Sequence, residues 1–448
     1  MHKRHLHIFL LIFFALALRL IFLETFQLNE NAYTEDDSIT YLAPSQSYQS
    51  SQAFLDHQGN PMSVRTPGYP YFLQTIFNLL SEKISNISYV QIFLNSFLII
   101  PIYSIAANLF SRNAGIFAGI IFALEHNQIY YSLVVLSESL FTFFLIFFVF
   151  SVLKIFSEKR IFIWACISGL LLLLATMVRP ISYYLIYFIP IFFLFNFKNK
   201  THINLIVISL ILAPTIIGAE LWKERNLQEI GARVVSTIEG HNLLDYRAIP
   251  SYAEKYEISL DESMKHHYEK LKEIDPDSGE FYQAQKEIAL QSISSNLFAY
   301  IKFSIKKMFN IVFGFGENAA KRIFTSDSDN HPSLVFWIMN NFDNNSITNW
   351  FFNFDSYKGY ILFVIFYFAL HTSLSFFGIF QFLKKPKKNT LLLLTIVAYF
   401  LVISSGLEAY SRFRVPIDPI LFIFAGVGAA KLVDRFRAYL NLERQKKS

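Results

Sequence analysis

The chain has 448 residues, of which 53% are hydrophobic and only 16% are charged, and it contains 50 phenylalanines and 24 tyrosines. This composition excludes an ordinary water-soluble domain and is typical of a membrane protein with many spanning helices. The net charge of +5 is explained by basic loops on one side of a membrane, so it does not indicate nucleic-acid binding. The single cysteine, Cys166, excludes an internal disulfide and a thiolate metal site.

Hydropathy predicts about ten spanning helices, which makes the fold class an all-α polytopic membrane bundle. The first, residues 7–27, follows MHKRH and is long enough for a full crossing rather than a signal-peptide core. The other spans are predicted at residues 88–110, 113–126, 132–156, 161–178, 180–197, 202–222, 357–383, 390–408 and 414–433.

Basic residues predict the orientation, because cytoplasmic loops carry an excess of Lys and Arg. With both termini in the cytoplasm, one side receives Arg112, Lys159, Arg160, Lys198, Lys200, the KKPKK at 384–388 and the basic tail. The extracytoplasmic side then receives an opening loop at 28–87, an insert at 223–356 and a short turn at 406–414.

Three regions follow from this topology: an N-terminal spanning region at 1–222, the insert at 223–356, and a C-terminal spanning region with a basic tail at 357–448. Within the insert, residues 296–315 are apolar but contain Lys302, Lys306 and Lys307. We interpret this segment as an interfacial helix whose lysines extend toward water. Two further crossings are the alternative.

The opening loop carries three adjacent carboxylates, Glu35, Asp36 and Asp37. Like charges side by side raise the proton affinity of at least one of them, which favours a basic partner or a functional role over a solvated acidic loop. Downstream, RTPGYP presents Arg65 from a turn in which the prolines restrict the backbone and Gly68 permits close approach.

Further charged residues lie within or beside the apolar segments. Arg19 lies inside the first helix, where an unpaired cation is costly, and snorkelling to an interface is the alternative. Glu138 begins a span, Arg179 ends one, and Arg412 and Arg414 lie in the short outer turn beside Glu408. Arginines opposed by carboxylates at a lipid surface suit a phosphate carried by a lipid, because the guanidinium group donates to phosphate oxygens in a fixed geometry.

The segment EDDSITYLA resembles the first loop of GT-C fold glycosyltransferases, in the branch of protein O-mannosyltransferases and the lipid A aminoarabinose transferase. The matching residues are Asp37, Tyr41 and Ala43, followed by RTPGYP. The resemblance continues in order through LRL at 18–20, YSLVVLSESLF, VRP, LWKERN at 221–226, STIEGHNLL at 236–244 and SRFRVPIDPILFIFAGVG at 411–428.

The resemblance implies a GT-C-like bundle that transfers a sugar from a polyprenyl-phosphate donor on the extracytoplasmic face, with inversion. It assigns Asp37 as general base, with Asp36 as the next candidate. Substrate-binding candidates are Glu35, Tyr41, Arg65, Tyr69 and Glu138. Candidates for binding the donor phosphate are Arg19, Arg179, Arg412 and Arg414.

The expected partners are a polyprenyl-phosphate-linked sugar, a lipid, glycan or protein acceptor, and membrane lipids. The expected location is a bacterial inner membrane, with the active site on the periplasmic side.

No cofactor is expected, although two places in the sequence carry carboxylates of the kind that bind a divalent metal. The Asp-x-Asp pattern at 327–329 and the pair Glu35 and Asp36 could hold one, but Asp and Ser are also common turn residues. His266 and His267 are adjacent, so their side chains diverge on a helix and do not indicate a ligand pair.

Two other functions are alternatives. A transporter or lipid flippase would also use intramembrane arginines and outward-facing carboxylates, but it predicts midplane charges and repeat symmetry that the sequence does not clearly show. A non-catalytic membrane assembly factor would have little use for the EDD and RTPGYP elements.

Overall fold

The computed structural model describes residues 2–26, 33–196, 201–276, 278–324, 356–384, 386 and 390–447. Within these residues the regular structure is helical, and the β contact recorded there is an isolated bridge between Leu55 and Pro61. The predicted all-α class is confirmed.

The helices of the first spanning region precede the insert. They are α1 (His2–Phe26), α2 (Ile39–Ser51), α3 (Gly68–Leu79), α4 (Ile84–Phe97), α5 (Ile99–Leu109), α6 (Arg112–Leu124), α7 (His126–Leu133), α8 (Glu138–Ile155), α9 (Ile161–Val178), α10 (Leu185–Asn196) and α11 (Thr201–Ile230).

The insert and the C-terminal region contain the remaining long elements. They are α12 (Ile238–Leu243), α13 (Ile249–Tyr256), α14 (Leu260–Tyr268), α15 (Gly279–Ser295), α16 (Leu297–Phe313), α17 (Glu317–Phe324), α18 (Ser356–Leu383), α19 (Leu391–Ile403) and α20 (Asp418–Lys447).

Six helices of the described chain are long and apolar enough to cross a membrane, so the protein is an integral membrane protein. They lie at Arg4–Thr25, Ile84–Leu109, Glu138–Ile155, Ile161–Val178, Thr201–Ile230 and Tyr357–Leu383. Three shorter apolar helices lie at Arg112–Leu124, Pro180–Phe195 and Leu391–Ile403. The count of ten crossings stays a prediction.

The boundaries of several predicted spans differ from the helices. The span predicted at 132–156 begins only at Glu138, because the backbone at Val134–Ser137 leaves the helical path and bonds to the opening loop. There the Val135 N–H donates to the Tyr33 carbonyl oxygen at 2.8 Å. The helix predicted to end at residue 222 continues to Ile230, so its last residues fall within the predicted insert.

Helix α8 runs from one end of the bundle to the other. Its 18 residues give a length of about 27 Å, close to the thickness of the hydrocarbon core. Glu138 begins α8, and near its other end Lys154 pairs with Glu158 at 3.0 Å. Arg4 lines a depression together with Lys154 and donates to Asn108 at 3.0 Å. The N-terminus and the basic helix ends therefore lie opposite the end that Glu138 occupies.

Small residues allow the helices of the bundle to pack closely. A Cβ at Gly378 of α18 would lie 1.9 Å from the Phe424 carbonyl oxygen of α20. A Cβ at Gly426 of α20 would lie 2.3 Å from the Ala114 carbonyl oxygen of α6. The backbones of these helices are in contact, as is common where dispersion forces drive helix association in lipid.

The insert has a small core of its own and one amphipathic helix. Leu244, Leu271 and Ala289 belong to a buried cluster separate from the main core. Helix α16 exposes Phe298 and Phe309, and the ring of Phe313 stacks on Phe376 of α18 at 6.2 Å. The apolar face of α16 therefore continues onto a spanning helix, consistent with the predicted interfacial position.

Candidate functional site

Five segments that are distant in sequence meet at the end of the bundle where α8 begins. They are the turn at Asp36–Ser38, the loop before α3, the start of α8, the end of α9 and the turn at Ser411–Arg414. Each contributes one charged side chain to a connected group.

The turn carrying the three carboxylates is fixed by hydrogen bonds to the backbone before α8. The Ser38 hydroxyl donates to the Val135 carbonyl oxygen at 2.8 Å and accepts from the Glu35 N–H at 2.8 Å. Ser38 is buried. The turn that carries Asp37 is therefore held against the backbone of Val135, just before α8, rather than forming a free loop.

Asp37, Arg65, Glu138, Arg179 and Arg412 form a continuous row of ion pairs, which we call the charge cluster. Asp37 pairs with Arg65 at 2.7 Å through one oxygen and with Arg412 at 2.8 Å through the other. Arg412 also donates to Glu138, whose same oxygen accepts from Arg179 at 2.6 Å. Three cations thus face two carboxylates, and Glu138 is fully buried.

The charge cluster holds Asp37 ionised. Burial disfavours the charged carboxylate, but Arg65 and Arg412 outweigh burial and lower the pKa of Asp37 below its ordinary value. Burial also disfavours the charged guanidinium of Arg412, yet Glu138 and other neighbours raise its pKa well above normal. Both groups therefore carry full charge at neutral pH.

Arg65 is positioned by aromatic packing as well as by charge. Its guanidinium lies over the Tyr41 ring at 4.7 Å, and its Nε donates to the Thr40 hydroxyl at 2.9 Å. The Tyr41 ring meets the buried Tyr69 ring edge-on at 5.0 Å, and the Tyr69 hydroxyl donates to Gln91 at 2.8 Å. Tyr41 packs against the Arg65 guanidinium, and the buried Tyr69 in turn packs against Tyr41.

Gly68 brings the RTPGYP segment against the end of α9. A Cβ at this position would lie 2.5 Å from the Met177 carbonyl oxygen, so a larger residue would separate the two backbones. Arg179 follows directly as the residue that ends α9. The close approach predicted for Gly68 thus brings Arg65 and Arg179 onto neighbouring segments.

The other two adjacent carboxylates occupy different surroundings. Glu35 accepts from the Tyr130 hydroxyl and pairs with Arg322 of α17 at 2.8 Å. Burial raises the pKa of Glu35 despite these contacts. Asp36 is exposed and forms no ion pair with the residues that the structure describes. Arg322 was not identified from the sequence, since nothing in ENAAKRIF marks it.

Arg19 and Arg414 are not brought to the charge cluster. Arg19 is fully buried and donates to Asn95 at 2.9 Å and to the Ala15 carbonyl oxygen at 3.1 Å. Arg414 is also buried, pairs with Asp418 at 2.7 Å and donates to backbone carbonyls at the end of α16. Phosphate binding by these two residues stays a prediction, without a contact to the cluster.

A cavity of about 650 Å³ adjoins one side of the charge cluster. Among the described residues, six basic side chains and two carboxylates line it: Arg65, Arg179, Lys223, Arg233, Arg247, Lys286, Glu239 and Glu408. Tyr187 of α10 and Val402 of α19 also line it, and both are largely exposed on apolar helices. The cavity is therefore basic at its inner wall and apolar where it meets the lipid-facing helices.

Asp37 does not line this cavity, although its partner Arg65 does. The Asp37 side chain is nevertheless 37% exposed, so it is accessible from another side. The Arg65–Asp37 pair thus joins a residue of the cavity wall to a partly exposed carboxylate.

The cavity contains residues that the sequence did not single out by role. Lys223 and Glu239 lie within LWKERN and STIEGHNLL, two segments that resemble the GT-C family, and Glu408 lies in the same turn as Arg412. The resemblance therefore pointed to these segments but gave no role to the three side chains. In the described part of the chain, no group of three or more His, Cys, Asp or Glu side chains is placed to hold a metal ion. The Asp-x-Asp pattern at 327–329 lies outside the described residues.

Comparison with known proteins identifies both a family model and a fold. Residues 64–217 match the model of the dolichyl-phosphate-mannose-protein mannosyltransferase family, which is about a third of the chain. The oligosaccharyltransferase of Archaeoglobus fulgidus in its apo form has a similar fold, with a TM-score of 0.53 at 12% identity over 99% of this chain. No curated protein gives a sequence match.

The same archaeal enzyme, AglB, in complex with an inhibitory peptide and a dolichol-phosphate gives a TM-score of 0.50 at 13% identity over 99% of this chain. The chain spans about half of the archaeal enzyme, 52% in both structures. These findings confirm the predicted resemblance to the GT-C fold.

Proposed function

We propose that the protein is a glycosyltransferase that moves a sugar from a polyprenyl-phosphate donor to a hydroxyl group of an envelope lipid, glycan or protein on the extracytoplasmic face. The observation that carries the proposal is the charge cluster, in which Asp37 is held ionised between two arginines beside a basic cavity. The family model, which covers residues 64–217, supports the same reaction class.

The cavity is suited to the donor lipid. Its basic wall would bind the phosphate, because Arg and Lys donate charge-assisted hydrogen bonds to phosphate oxygens. Its apolar boundary at Tyr187 and Val402 would let a prenyl chain pass toward the lipid. The complex of AglB with a dolichol-phosphate supports a lipid phosphate as the donor in this fold.

Asp37 is the proposed general base. The acceptor oxygen attacks the anomeric carbon, Asp37 takes the hydroxyl proton, and the bond between the anomeric carbon and the phosphate oxygen breaks with inversion. The polyprenyl phosphate leaves with the electron pair of that bond. Inversion requires the acceptor to approach the anomeric carbon from the side opposite the phosphate, and the partly exposed Asp37 is accessible to such an acceptor.

The arginines of the charge cluster divide two tasks in this proposal. Arg65 and Arg179 line the cavity and stabilise the negative charge that develops on the leaving phosphate. Arg412 does not line the cavity, so it acts on Asp37 and Glu138 as a positioning residue. We expect transfer to need no cofactor.

Deletion of the gene followed by mass spectrometry of envelope lipids, glycans and glycoproteins tests the proposal. We expect a product to lose one hexose or pentose, and a plasmid carrying the native chain to restore it. Asp37→Asn should not restore the product, whereas Glu269→Gln, a change at an exposed insert residue, should do so. Unchanged products, or accumulation of a lipid-linked sugar on the inner leaflet with Asp37→Asn fully active, would contradict the proposal and favour a flippase.

A further inference from the structure

The depression that Arg4 and Lys154 line lies at the end of the bundle opposite the charge cluster, and it has a volume of about 300 Å³. Three apolar spans end around it. One span begins at Arg4 in α1, another ends at Leu109 in α5, and the third ends at Ile155 in α8, directly after Lys154. Because the hydrocarbon core of a membrane ends where such spans end, the depression lies at the depth of the lipid headgroups.

A tryptophan marks the same depth. Lys154 Nζ lies 5.9 Å from the centroid of the Trp164 ring and 5.4 Å from the centroid of the Phe150 ring. Trp164 lies in the first turn of α9, and tryptophan is enriched at the interface between membrane and water. The ammonium group of Lys154 therefore lies at this interface, while the aromatic rings pack along its stem.

The depression carries one net positive charge. Among the described residues that line it, Arg4 and Lys154 are cations and Glu158 is the one carboxylate. Lys154 pairs with Glu158 at 3.0 Å. Arg4 instead has a neutral partner, because it donates to the Asn108 side-chain oxygen at 3.0 Å. Its positive charge is therefore not matched by a carboxylate in the described chain.

Both cations keep N–H groups for a ligand. A guanidinium group has five N–H donors and an ammonium group has three, whereas the described contacts of Arg4 and Lys154 are one hydrogen bond each. Leu109 and Phe150 form an apolar part of the wall, and both are partly exposed. The depression thus combines free cationic donors with an accessible apolar surface, which suits a phosphate that carries acyl chains.

We propose that this depression binds the phosphate of an anionic membrane phospholipid, with Arg4 as the main contact and Lys154 beside it. Basic pockets between the ends of spanning helices bind anionic lipid headgroups, and one phosphodiester charge matches the net charge of the depression. The inference is independent of the proposed function, because the depression and the charge cluster lie at opposite ends of the bundle.

The charges favour a headgroup without an amine. An ammonium group on the lipid would need Glu158 as its partner, but Lys154 already pairs with this carboxylate. The same ammonium group would also be repelled by Arg4 and Lys154. A headgroup such as phosphoglycerol avoids this repulsion and still presents the phosphate oxygens.

Native mass spectrometry of the purified full chain with added lipids tests the inference. The probes are phosphatidylglycerol, phosphatidylethanolamine with the same acyl chains, and glycerol 3-phosphate. We expect the native chain to bind phosphatidylglycerol most tightly. Arg4→Gln should weaken this binding by about fivefold, the effect of one basic residue near a membrane surface. Glu158→Gln removes the competing carboxylate and should strengthen it, a gain that misfolding would not produce.

Arg437→Gln is the matched control, because Arg437 is an exposed arginine of the basic tail that does not line the depression. It should bind phosphatidylglycerol as the native chain does. Equal weakening in Arg437→Gln and Arg4→Gln would show a general attraction to the basic tail and overturn the site. Unchanged binding in both Arg4→Gln and Glu158→Gln would also overturn it. Weaker phosphatidylethanolamine binding in Glu158→Gln would indicate an ammonium site instead, and glycerol 3-phosphate binding as tight as the lipid would assign the depression to a free phosphate.

Discussion

Asp37 forms ion pairs with two arginines at once, one through each carboxylate oxygen. This arrangement determines the protonation state of its carboxyl group. Both contacts favour the ionised form, so the group is ready to accept a proton at neutral pH, although its low pKa makes it a weak base. Arg65 and Arg412 come from distant segments. The orientation of Asp37 therefore depends on the correct assembly of the bundle.

The first prediction ranks the three adjacent carboxylates. Asp37→Asn is nearly isosteric and should reduce turnover by roughly 10² to 10⁴, the usual contribution of a positioned general base. Asp36→Asn should have a small effect, because Asp36 is exposed and unpaired among the described residues. Glu35→Gln should affect the contact with Arg322 rather than proton transfer.

Sugar transfer measured with protein of matched insertion and melting temperature checks this ranking. A larger loss of turnover in Asp36→Asn than in Asp37→Asn would indicate that Asp36, rather than Asp37, is the general base.

The second prediction concerns pH. Since the folded-state pKa of Asp37 is lowered, its ion pairs stabilise the protein above the unfolded pKa and are lost as pH falls through the folded pKa. The acid limb of kcat/KM should therefore lie below the ordinary aspartate pKa of about 3.9. Arg65→Gln removes one of the two cations and should shift that limb to higher pH.

The pH profiles of the native chain and of Arg65→Gln provide the measurement, with Lys272→Gln, an exposed insert residue, as control. An acid limb that stays at the same pH after Arg65→Gln would show that Asp37 does not control it.

Among the elements, the turn at Ser411–Arg414 gives its two arginines opposite surroundings. Arg412 extends to the charge cluster, whereas Arg414 is buried and binds the C-terminal carbonyls of α16 together with Asp418. Helix α16 is thereby attached to the start of α20. One short element thus supplies the site on one side and anchors the insert on the other.

The third prediction separates these two arginines. Arg414→Gln leaves Asp418 buried without its ion partner, which should cost about 3 to 5 kcal/mol of stability. Arg412→Gln leaves Glu138 paired with Arg179, so it should lower turnover while changing the melting temperature less.

Thermal unfolding in detergent, together with transfer assays, distinguishes the two effects. Equal loss of melting temperature in both variants would contradict the separation.

At the scale of the whole molecule, the charged site and the basic helix ends lie at opposite ends of the bundle. Glu138 belongs to one end, and Lys154 and Arg4 belong to the other. Under the orientation that the basic loops predict, the site faces the extracytoplasmic side, and this orientation stays a prediction.

The fourth prediction tests this orientation by cysteine labelling. In a Cys166→Ser background, Glu269→Cys in the insert should react with a membrane-impermeant maleimide in intact cells, because Glu269 is exposed. Glu158→Cys, at the opposite end, should react only after permeabilisation. The reverse pattern would invert the topology.

Apolar runs were sufficient to predict the helical membrane class, because each crossing must bury its backbone polar groups within a helix. The EDD and RTPGYP segments were sufficient to nominate Asp37 and Arg65. The sequence alone could not show that Arg412 and Arg414 diverge, since that depends on which neighbour each side chain meets. Nor could it show that Arg65 and Arg179 line one cavity. These features were decided by tertiary structure, because ion pairing and burial arise only when distant helices come together.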